Sequence, residues 1–369
     1  MKVLFIGRYN DSEIFSGPEK VANRIFYQHT LKEHSYFLEY FFEGNLYLYF
    51  QKLFGKKIIK KVNKGLVVKL GIFRLILFLF KEKPEIIHII TFERFALVVF
   101  LYKIFFKVKI IFNVHGVVQY ENKYFYPVSK FLAKRNVICE KKFINKSDAL
   151  LIFSDESRKK LLEYYPVHHD KFFNIQNGID MIFKDKFQVR KYKNDRLLKA
   201  VFTSSIEIKI KGFEKLYKCL LVLKIPLHIF VISNRNENVE QYNNRYIKFE
   251  VINTMVSEEY ANFLSDIDLI FAPSIFDTFP INIIENMASG VIPLISKDNG
   301  VSRLITNEKN GFIIDFVNTD KFVSILQKLS EDFEYRKKIS ENASGIYEIL
   351  SWDKIYKQYE NVYSKFINQ

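Results

Sequence analysis

Two carboxylates eight residues apart, Asp277 and Glu285, flank the first turn of a predicted helix. The apolar run Leu269 to Ala272 predicts a strand. A loop bounded by prolines follows from Pro273 to Pro280, and a helical pattern follows from Ile281 to Ala288. Gly290 suits the C-terminal turn of that helix. Two acids so placed can accept hydrogen bonds from the hydroxyls of a sugar and a ribose, which indicates carbohydrate chemistry.

The start of this helix is also a candidate anion site. Pro280 fits the first turn, where a missing N–H removes no hydrogen bond. The free N–H groups and the positive end of the helix dipole favour an anion such as the diphosphate of a sugar nucleotide. The simpler alternative is that Asp277 caps the helix and Glu285 is a solvated helix residue.

Three further places carry residues suited to the same chemistry. Lys209 and Lys211 could neutralise a diphosphate, although both also fit an ordinary basic loop. Gly17 follows the first predicted strand and would let the backbone approach a phosphate, or it belongs to an ordinary loop. His115 follows the apolar run 110–114, which places it at the carboxyl end of a strand, although a lone histidine is more often structural.

The sequence offers no convincing metal site. Asp266 and Asp268 form a D-x-D pattern, but they directly precede a buried strand and fit turn positions. His168 and His169 lie on a predicted surface turn with no third ligand nearby. We therefore expect no metal and no cofactor beyond a co-substrate.

Apolar runs alternate with helical patterns along the whole chain, which predicts two doubly wound α/β domains. The predicted strands of the first half are Lys2–Gly7, Ser35–Phe42, Glu85–Ile90, Lys109–Val114, Ala149–Phe153 and Phe172–Gln176. Those of the second half are Leu198–Thr203, Leu227–Ile232, Ile247–Val251, Leu269–Ala272, Ile292–Ile295 and Phe312–Ile314. The charged stretch Lys184 to Arg196 is the expected linker.

The composition is that of a globular protein with an anionic partner. The 369 residues suffice for two domains, and the formal net charge of +15 calls for a nucleic acid or a membrane surface. Cys139 and Cys219 fit neither a disulfide framework nor a metal motif, so a reducing cytoplasm is expected. No cleavable signal is visible, and the run Leu66 to Phe80 is interrupted by charges and is too short to span a membrane.

The basic charge is densest around residues 52–66. At helical spacing, the apolar and the basic side chains of this segment would lie on opposite sides of a helix. The apolar side chains are Phe54, Ile58, Ile59, Val62 and Leu66. The basic side chains are Lys52, Lys56, Lys57, Lys60, Lys61 and Lys64. Such a helix could lie in an anionic membrane surface, with Lys56, Lys57, Lys60 and Lys61 facing the headgroups. The alternative is that its apolar arc packs on the first sheet.

The whole frame from Pro273-Ser274 to Gly290-x-x-Pro293 resembles the E-x7-E signature of retaining glycosyltransferases of family 4, in the variant whose first acid is Asp. Several landmarks elsewhere are similar to that family: Ser16–Val21, Asn113-Val114-His115-Gly116, Ser147–Leu150 with Ser154, Asn177–Asp180, Lys211-Gly212 and Ser351-Trp352. The resemblance implies a GT-B fold of two Rossmann-like domains facing across a cleft. The implied domains are 1–185 for the acceptor, 186–350 for the nucleotide sugar, and a helix over 351–369 that crosses back to the first domain.

The resemblance also implies roles. His115, Asp277 and Glu285 would be catalytic, and the donor would be bound by Gly17, Lys209, Lys211, Phe279, Pro280, Ile281 and Glu285. Ile206 stands where the family usually has an arginine, so Lys209 would take part of its task. The implied reaction is retaining, metal-independent transfer of a sugar from a UDP- or GDP-linked donor to a surface-glycan or lipid-linked acceptor.

Rival functions remain at this stage. Another GT-B activity, a sugar-nucleotide epimerase or a phosphorylase, shares the same fold. A basic nucleic-acid-binding protein fits the charge but lacks any recognised binding motif, so no nucleic acid is expected as partner. The expected location is cytoplasmic, attached peripherally to the inner face of the plasma membrane.

Overall fold

The computed structural model describes residues 2–10, 16–41, 46–124, 129–190, 192, 194 and 197–367. The chain forms two compact units. The first unit comprises Met1–Tyr120, Pro127–Asn177 and Trp352–Gln369, and the second comprises Glu121–Tyr126 and Gly178–Ser351.

Each unit is built on one sheet. The strands of the first sheet are β1 (Val3–Ile6), β2 (Tyr36–Glu39), β3 (Lys56–Val62), β4 (Gly65–Leu70), β5 (Ile86–Ile89), β6 (Lys109–Asn113), β7 (Ala149–Ile152) and β8 (Phe172–Asn174). The strands of the second sheet are β9 (Leu198–Phe202), β10 (Leu227–Ile232), β11 (Ile247–Ile252), β12 (Leu269–Ala272), β13 (Ile292–Ile295) and β14 (Phe312–Ile313).

The strand orders identify both sheets as doubly wound. The first runs β3-β4-β2-β1-β5-β6-β7-β8 and the second β11-β10-β9-β12-β13-β14. All neighbouring pairs are parallel except β3 with β4. The order reverses between β1 and β5 and between β9 and β12, which is where ligands bind in such folds.

Helices cover the sheets. They are α1 (Gly17–Lys32), α2 (Leu46–Phe54), α3 (Ile72–Glu82), α4 (Val98–Phe105), α5 (Val118–Glu121), α6 (Lys130–Lys146), α7 (Asp155–Leu162), α8 (Met181–Gln188), α9 (Phe213–Leu220), α10 (Ser257–Leu264), α11 (Ile281–Ala288), α12 (Thr319–Glu331), α13 (Phe333–Ser344), α14 (Tyr347–Leu350) and α15 (Trp352–Ile367). Within the described ranges, no helix combines the length and apolar character needed to cross a membrane.

All twelve strands predicted from the apolar runs are present, with ends that differ by at most three residues. The side chains of the central strands are buried on both faces, as parallel strands under two helical layers require, whereas the edge strands β8 and β11 are partly exposed. The continuous runs of Leu, Ile, Val and Phe therefore located the strands well.

The amphipathic helix predicted over residues 52–66 is wrong. The segment is a hairpin in which β3 pairs antiparallel with β4, and a turn at Asn63, with φ of 48°, separates them. Phe54 ends α2 and Leu66 lies in β4, so the predicted apolar arc does not exist. The doubled pattern Lys-Lys-Ile-Ile-Lys-Lys fits a helix and an edge strand alike, and the β-branched residues favour the strand. Lys56, Lys57, Lys60 and Lys61 are exposed on this edge.

The division between the units falls between Asn177 and Gly178, whereas the sequence analysis placed it at 185/186. The reason is α8, which belongs to the second unit: Phe183 is buried against Tyr260, and a side chain at Gly290 would collide with Phe187. The expected linker from Lys184 therefore begins within a helix, and residues 191, 193, 195 and 196 of it lie outside the described residues.

The last helix, α15, completes the core of the first unit. The hydroxyl of Tyr356 is 2.6 Å from Nδ1 of His29, and that of Tyr363 is 2.7 Å from Nδ1 of His88. His88 also contacts the side-chain oxygen of Asn113 through Nε2, at 2.8 Å. His88 is thus a core residue of the first unit.

Candidate active site

The candidate site lies in the second unit, at the carboxyl ends of β9 and β12. Thr203 and Ser204 follow β9, and the loop 273–280 follows β12 and leads into α11. These two strands are neighbours at the point where the strand order reverses. Their loops therefore diverge and leave a depression between them.

Helix α11 spans Ile281–Ala288, as the sequence predicted, with Pro280 as its N-cap residue. Gly290 has φ of 79° and closes the helix, since its N–H donates to the carbonyl of Met287 at 2.8 Å. At the other end of the helix, Pro280 and Asn282 help to line the depression, so the amino end of α11 borders it.

Lys211 and Asp277 form an ion pair in this depression. Nζ of Lys211 donates to Oδ2 of Asp277 at 2.6 Å, and the two side chains are 35% and 14% exposed. Burial alone would lower the pKa of Lys211, but the charge of Asp277 and the hydrogen bond to it raise that pKa above its usual value. Lys211 is therefore a fixed cation.

Gly212 holds the lysine loop against the loop after β12. Its φ is 75°, and a Cβ at this position would lie 2.1 Å from the carbonyl oxygen of Pro273. The N–H of Ile275 donates to the carbonyl of Ile210 at 2.8 Å, which joins the same two loops. Only glycine fits this close approach, and the approach brings Lys211 within reach of Asp277.

A third loop, after β13, encloses Asp277 from the other side. The N–H of Gly300 donates to the carbonyl of Asp277 at 2.9 Å. Asn299 is 1% exposed, and its Oδ1 accepts from the N–H of Val301 at 3.0 Å. Its Nδ2 is buried and has no hydrogen-bond partner among the described residues, and Asn299 is one of the residues that line the depression. A buried N–H donor of this kind is costly unless a ligand accepts from it.

The depression combines one cation, one carboxylate and several neutral polar groups, the latter being Thr203, Ser204, Ser274, Asn282 and Asn299. The side-chain amide of Asn282 donates to the hydroxyl of Thr203. The sequence analysis singled out none of these five residues. Their positions directly after strand ends and in the first turn of α11 were the available signal.

Not all the predicted donor residues meet here. Glu285 is buried further along α11, where its charge contributes to the raised pKa of Tyr260, after the larger effect of burial. Lys209 is exposed and Phe279 and Ile281 are buried, and none of the three lines the depression. The structure thus brings Lys211, Asp277 and Pro280 together in the depression. The other predicted donor residues of the second unit, which are Lys209, Phe279, Ile281 and Glu285, do not line it.

His115 and Gly17 belong to the first unit. The His115 ring lies 4.9 Å from that of Phe153, and burial lowers its pKa to about 4, so it is neutral at pH 7. Gly17 is the first residue of α1, and a Cβ there would meet nothing within 4 Å. The carboxylate of Glu19 accepts from the N–H of Ser16 at 3.1 Å, so an acid already occupies that helix start.

The D-x-D carboxylates are engaged by basic partners. Asp266 pairs with the side chain of Lys199, and Asp268 accepts from the N–H of Lys199 at 2.9 Å. Asp268 also lies 3.7 Å from Nε of Arg336. Across the described parts of the chain, no three His, Cys, Asp or Glu side chains are grouped so that they could hold a metal ion.

Solved structures share this architecture over the full chain. Sucrose-phosphate synthase from Thermosynechococcus elongatus superposes with a TM-score of 0.76 at 13% identity and 100% coverage of both chains. The Anabaena protein HepE, solved in complex with UDP and glucose, superposes with a TM-score of 0.71 at 14% identity and 99% coverage of both. The two doubly wound units and these similarities define the GT-B fold.

Two family models match consecutive parts of the sequence. The model described as Glycosyltransferase Family 4 matches residues 44–182, and that described as Glycosyl transferases group 1 matches residues 183–345. The chain belongs to the family 4 glycosyltransferases.

Curated relatives match over shorter stretches. An uncharacterised glycosyltransferase of Methanocaldococcus jannaschii is 33% identical over 97 residues, which is 26% of this chain and 25% of that protein. The UDP-Gal:α-D-GlcNAc-diphosphoundecaprenol α-1,3-galactosyltransferase of Escherichia coli is 26% identical over 113 residues, which is 29% of either chain. The matches thus span about a quarter of the length of these relatives.

Proposed function

We propose that the protein is a retaining, metal-independent glycosyltransferase that moves a sugar from a nucleotide-diphosphate donor to a surface-glycan or lipid-linked acceptor. The observation that carries this proposal is the half-buried ion pair of Lys211 and Asp277 beside the amino end of α11. A fixed cation, a carboxylate and a helix amino terminus together suit a ligand that carries both phosphate and hydroxyl groups.

The donor diphosphate is assigned to Lys211 and the first turn of α11. Breaking the bond between the sugar and the diphosphate places negative charge on the leaving phosphate. A cation and N–H groups already in position stabilise that charge most in the transition state. The HepE protein was solved with UDP and glucose, which supports a nucleotide sugar as the donor of this chain. UDP and GDP are both candidates.

The remaining roles follow from chemistry and resemblance. Asp277 accepts hydrogen bonds from the transferred sugar, Glu285 serves the ribose, and His115 donates to a sugar hydroxyl as a neutral imidazole. No side chain in this set is an activated nucleophile. Retention is therefore assigned to a same-face displacement in which the leaving phosphate assists the incoming hydroxyl.

The proposed acceptor is carried on a membrane lipid. The Escherichia coli relative acts on a diphosphoundecaprenol-linked sugar, which supports an acceptor of this class. The net charge of +15 and the exposed lysines of β3, which are Lys56, Lys57, Lys60 and Lys61, support peripheral attachment to an anionic cytoplasmic membrane face.

A thermal-shift panel of UDP, GDP, ADP and their sugars tests the donor assignment. A ligand that binds only the folded protein raises its melting temperature, by an amount that grows with its concentration over Kd. We expect one nucleotide to raise the melting temperature of the wild type and to leave that of Lys211→Met unchanged. No shift with any nucleotide, or an equal shift in both proteins, would contradict the proposal.

A further inference from the structure

Helices α3 and α4 present apolar side chains to the outside of the first unit. On α3, Phe73, Leu77 and Phe80 are 47%, 63% and 47% exposed and lie on one face at i, i+4 and i+7. On α4, Leu101, Ile104 and Phe105 are 61%, 70% and 77% exposed. We call these six residues the α3–α4 face.

Aromatic contacts join α3 to its neighbours. The ring centroid of Phe80 lies 5.9 Å from that of Tyr102 in α4 and 5.0 Å from that of Phe106, the residue after α4. At the other end of α3, the ring of Phe73 stacks on that of Phe54 of α2 at 4.9 Å. The exposed apolar residues of α3 and α4 therefore belong to two helices that pack against each other.

The opposite faces of both helices are also apolar. Leu75 and Leu79 of α3, and Val99 and Phe100 of α4, are buried in the core of the first unit. The helices are thus apolar towards the core and towards the outside. A helix of this kind needs an apolar environment on both sides, and packing on the sheet provides only one.

Basic residues surround the α3–α4 face. Arg74 and Lys81 are exposed next to Phe73 and Phe80, and Lys107 follows α4. Across residues 52–109 the sequence has 14 Lys and Arg against three Asp and Glu. Arg and Lys side chains can lie along an apolar surface while their charged ends reach lipid headgroups.

We infer that the α3–α4 face inserts into the headgroup and upper acyl region of an anionic bilayer. A second copy of the same face would bring like charges together, so the charge favours an anionic lipid surface over self-association. This inference rests on the proposed membrane-bound acceptor and names the surface that reaches it. The lysines of β3 supply attraction, while insertion is the task of the two helices.

Vesicle cosedimentation tests the inference without any enzyme assay. The triple variant Leu77→Gln, Leu101→Gln, Ile104→Gln removes three exposed apolar side chains of the α3–α4 face. Its matched control changes Leu221, Val222 and Val317 of the second unit to Gln, which are 58%, 51% and 76% exposed. We expect binding to phosphatidylglycerol-containing vesicles to weaken about tenfold or more in the first variant and to stay unchanged in the control.

A charge pair separates electrostatic attraction from insertion. Arg74→Gln with Lys81→Gln should weaken vesicle binding at low salt and reduce its dependence on salt. The matched control is Lys218→Gln with Lys321→Gln, two exposed lysines of the second unit. Equal losses in both pairs would show that net charge alone matters and would overturn the assignment to this face.

An introduced tryptophan reports insertion directly. In Phe105→Trp, bromine atoms on the acyl chains should quench the new fluorescence, whereas in Val317→Trp they should not.

Absence of quenching in Phe105→Trp, or vesicle binding by the triple variant equal to wild type, would overturn the inference. A change from dimer to monomer in the triple variant, with vesicle binding unchanged, would assign the face to self-association. Turnover of a soluble acceptor analogue should be the same in all these variants as in the wild type. If the wild type itself does not turn over this analogue, that result counts against the proposed function and not against the role of the α3–α4 face.

Discussion

Lys211 donates to Asp277 across 2.6 Å, and the two residues lie in different loops, each of which follows a strand of the second sheet. The pair couples the residue assigned to the diphosphate with the residue assigned to the sugar. A donor that binds here must exchange part of this contact for its own oxygens, so the two residues should act as a unit.

Lys211→Met should lower kcat/KM for the donor by about 100-fold or more, because one positioned donor to a developing anion is worth about that factor. Lys209→Met should have a much smaller effect, since Lys209 is exposed and does not line the depression. Steady-state kinetics with the nucleotide sugar found in the thermal-shift panel measure both. Equal effects of the two substitutions would remove the diphosphate role from Lys211.

Asp277→Ala and Glu285→Ala should each abolish transfer and leave the fold intact. Asp277 loses hydrogen bonds to the sugar and Glu285 loses those to the ribose. Transfer assays read the loss, and circular dichroism with thermal unfolding checks the fold. Near-normal turnover in either variant would refute the E-x7-E assignment for that residue.

Asn299→Ala should weaken donor binding by about tenfold, because a buried side-chain N–H that has no partner among the described residues is expected to donate to the ligand. The free energy of unfolding of the variant without ligand should fall by about 1 kcal/mol, because the N–H of Val301 loses its acceptor, the Oδ1 of Asn299. Isothermal titration with the nucleotide sugar and with the nucleotide alone would show which part of the donor accepts from Asn299. Unchanged affinity for both would rule out the contact.

Activity should persist in EDTA. Asp266 is paired with Lys199, and Asp268 lies beside Lys199 and Arg336, so both carboxylates already have cationic neighbours. Transfer is assayed after chelation and again with added Mn²⁺. Strict dependence on Mn²⁺ would instead identify Asp266 and Asp268 as the metal site.

Stability should fall as the pH falls from about 6.5 towards 4. Burial lowers the pKa of His29 to about 4 and that of His88 to about 3, so the folded protein keeps both neutral. Below pH 6.5 the unfolded chain takes up these protons and is favoured, by up to about 1.4 kcal/mol per pH unit for each histidine. The free energy of unfolding measured in urea at pH 7 and pH 5 tests this.

His29→Gln should reduce that dependence, because one of the two histidines that take up a proton mainly in the unfolded chain is gone, while His88 remains. His168→Gln is the control, since His168 is exposed and its side chain lies on the surface. Identical slopes in the wild type and His29→Gln would show that other groups set the acid sensitivity.

The sequence predicted the fold because parallel strands covered on both faces are continuous apolar runs. It predicted α11 to the residue, since Pro280 and Gly290 mark both ends. It failed at residues 52–66, where an edge strand is exposed and its lysines and isoleucines have no single period. It missed Thr203, Asn282 and Asn299. A neutral polar residue near a strand end belongs to a site only when residues of other loops lie beside it, and the sequence does not show which loops are neighbours.

The contribution of α15 to the first unit has a consequence for synthesis. The ribosome completes residues 178–351 before it makes the helix that carries Tyr356 and Tyr363. The partners of His29 and His88 therefore emerge only after residues 178–351, and the second unit can finish folding while the first still lacks part of its core. We expect this chain to depart from the usual order, in which the amino-terminal domain folds first. Nascent chains that stop before residue 352 should thus contain a folded second unit and an unfinished first one.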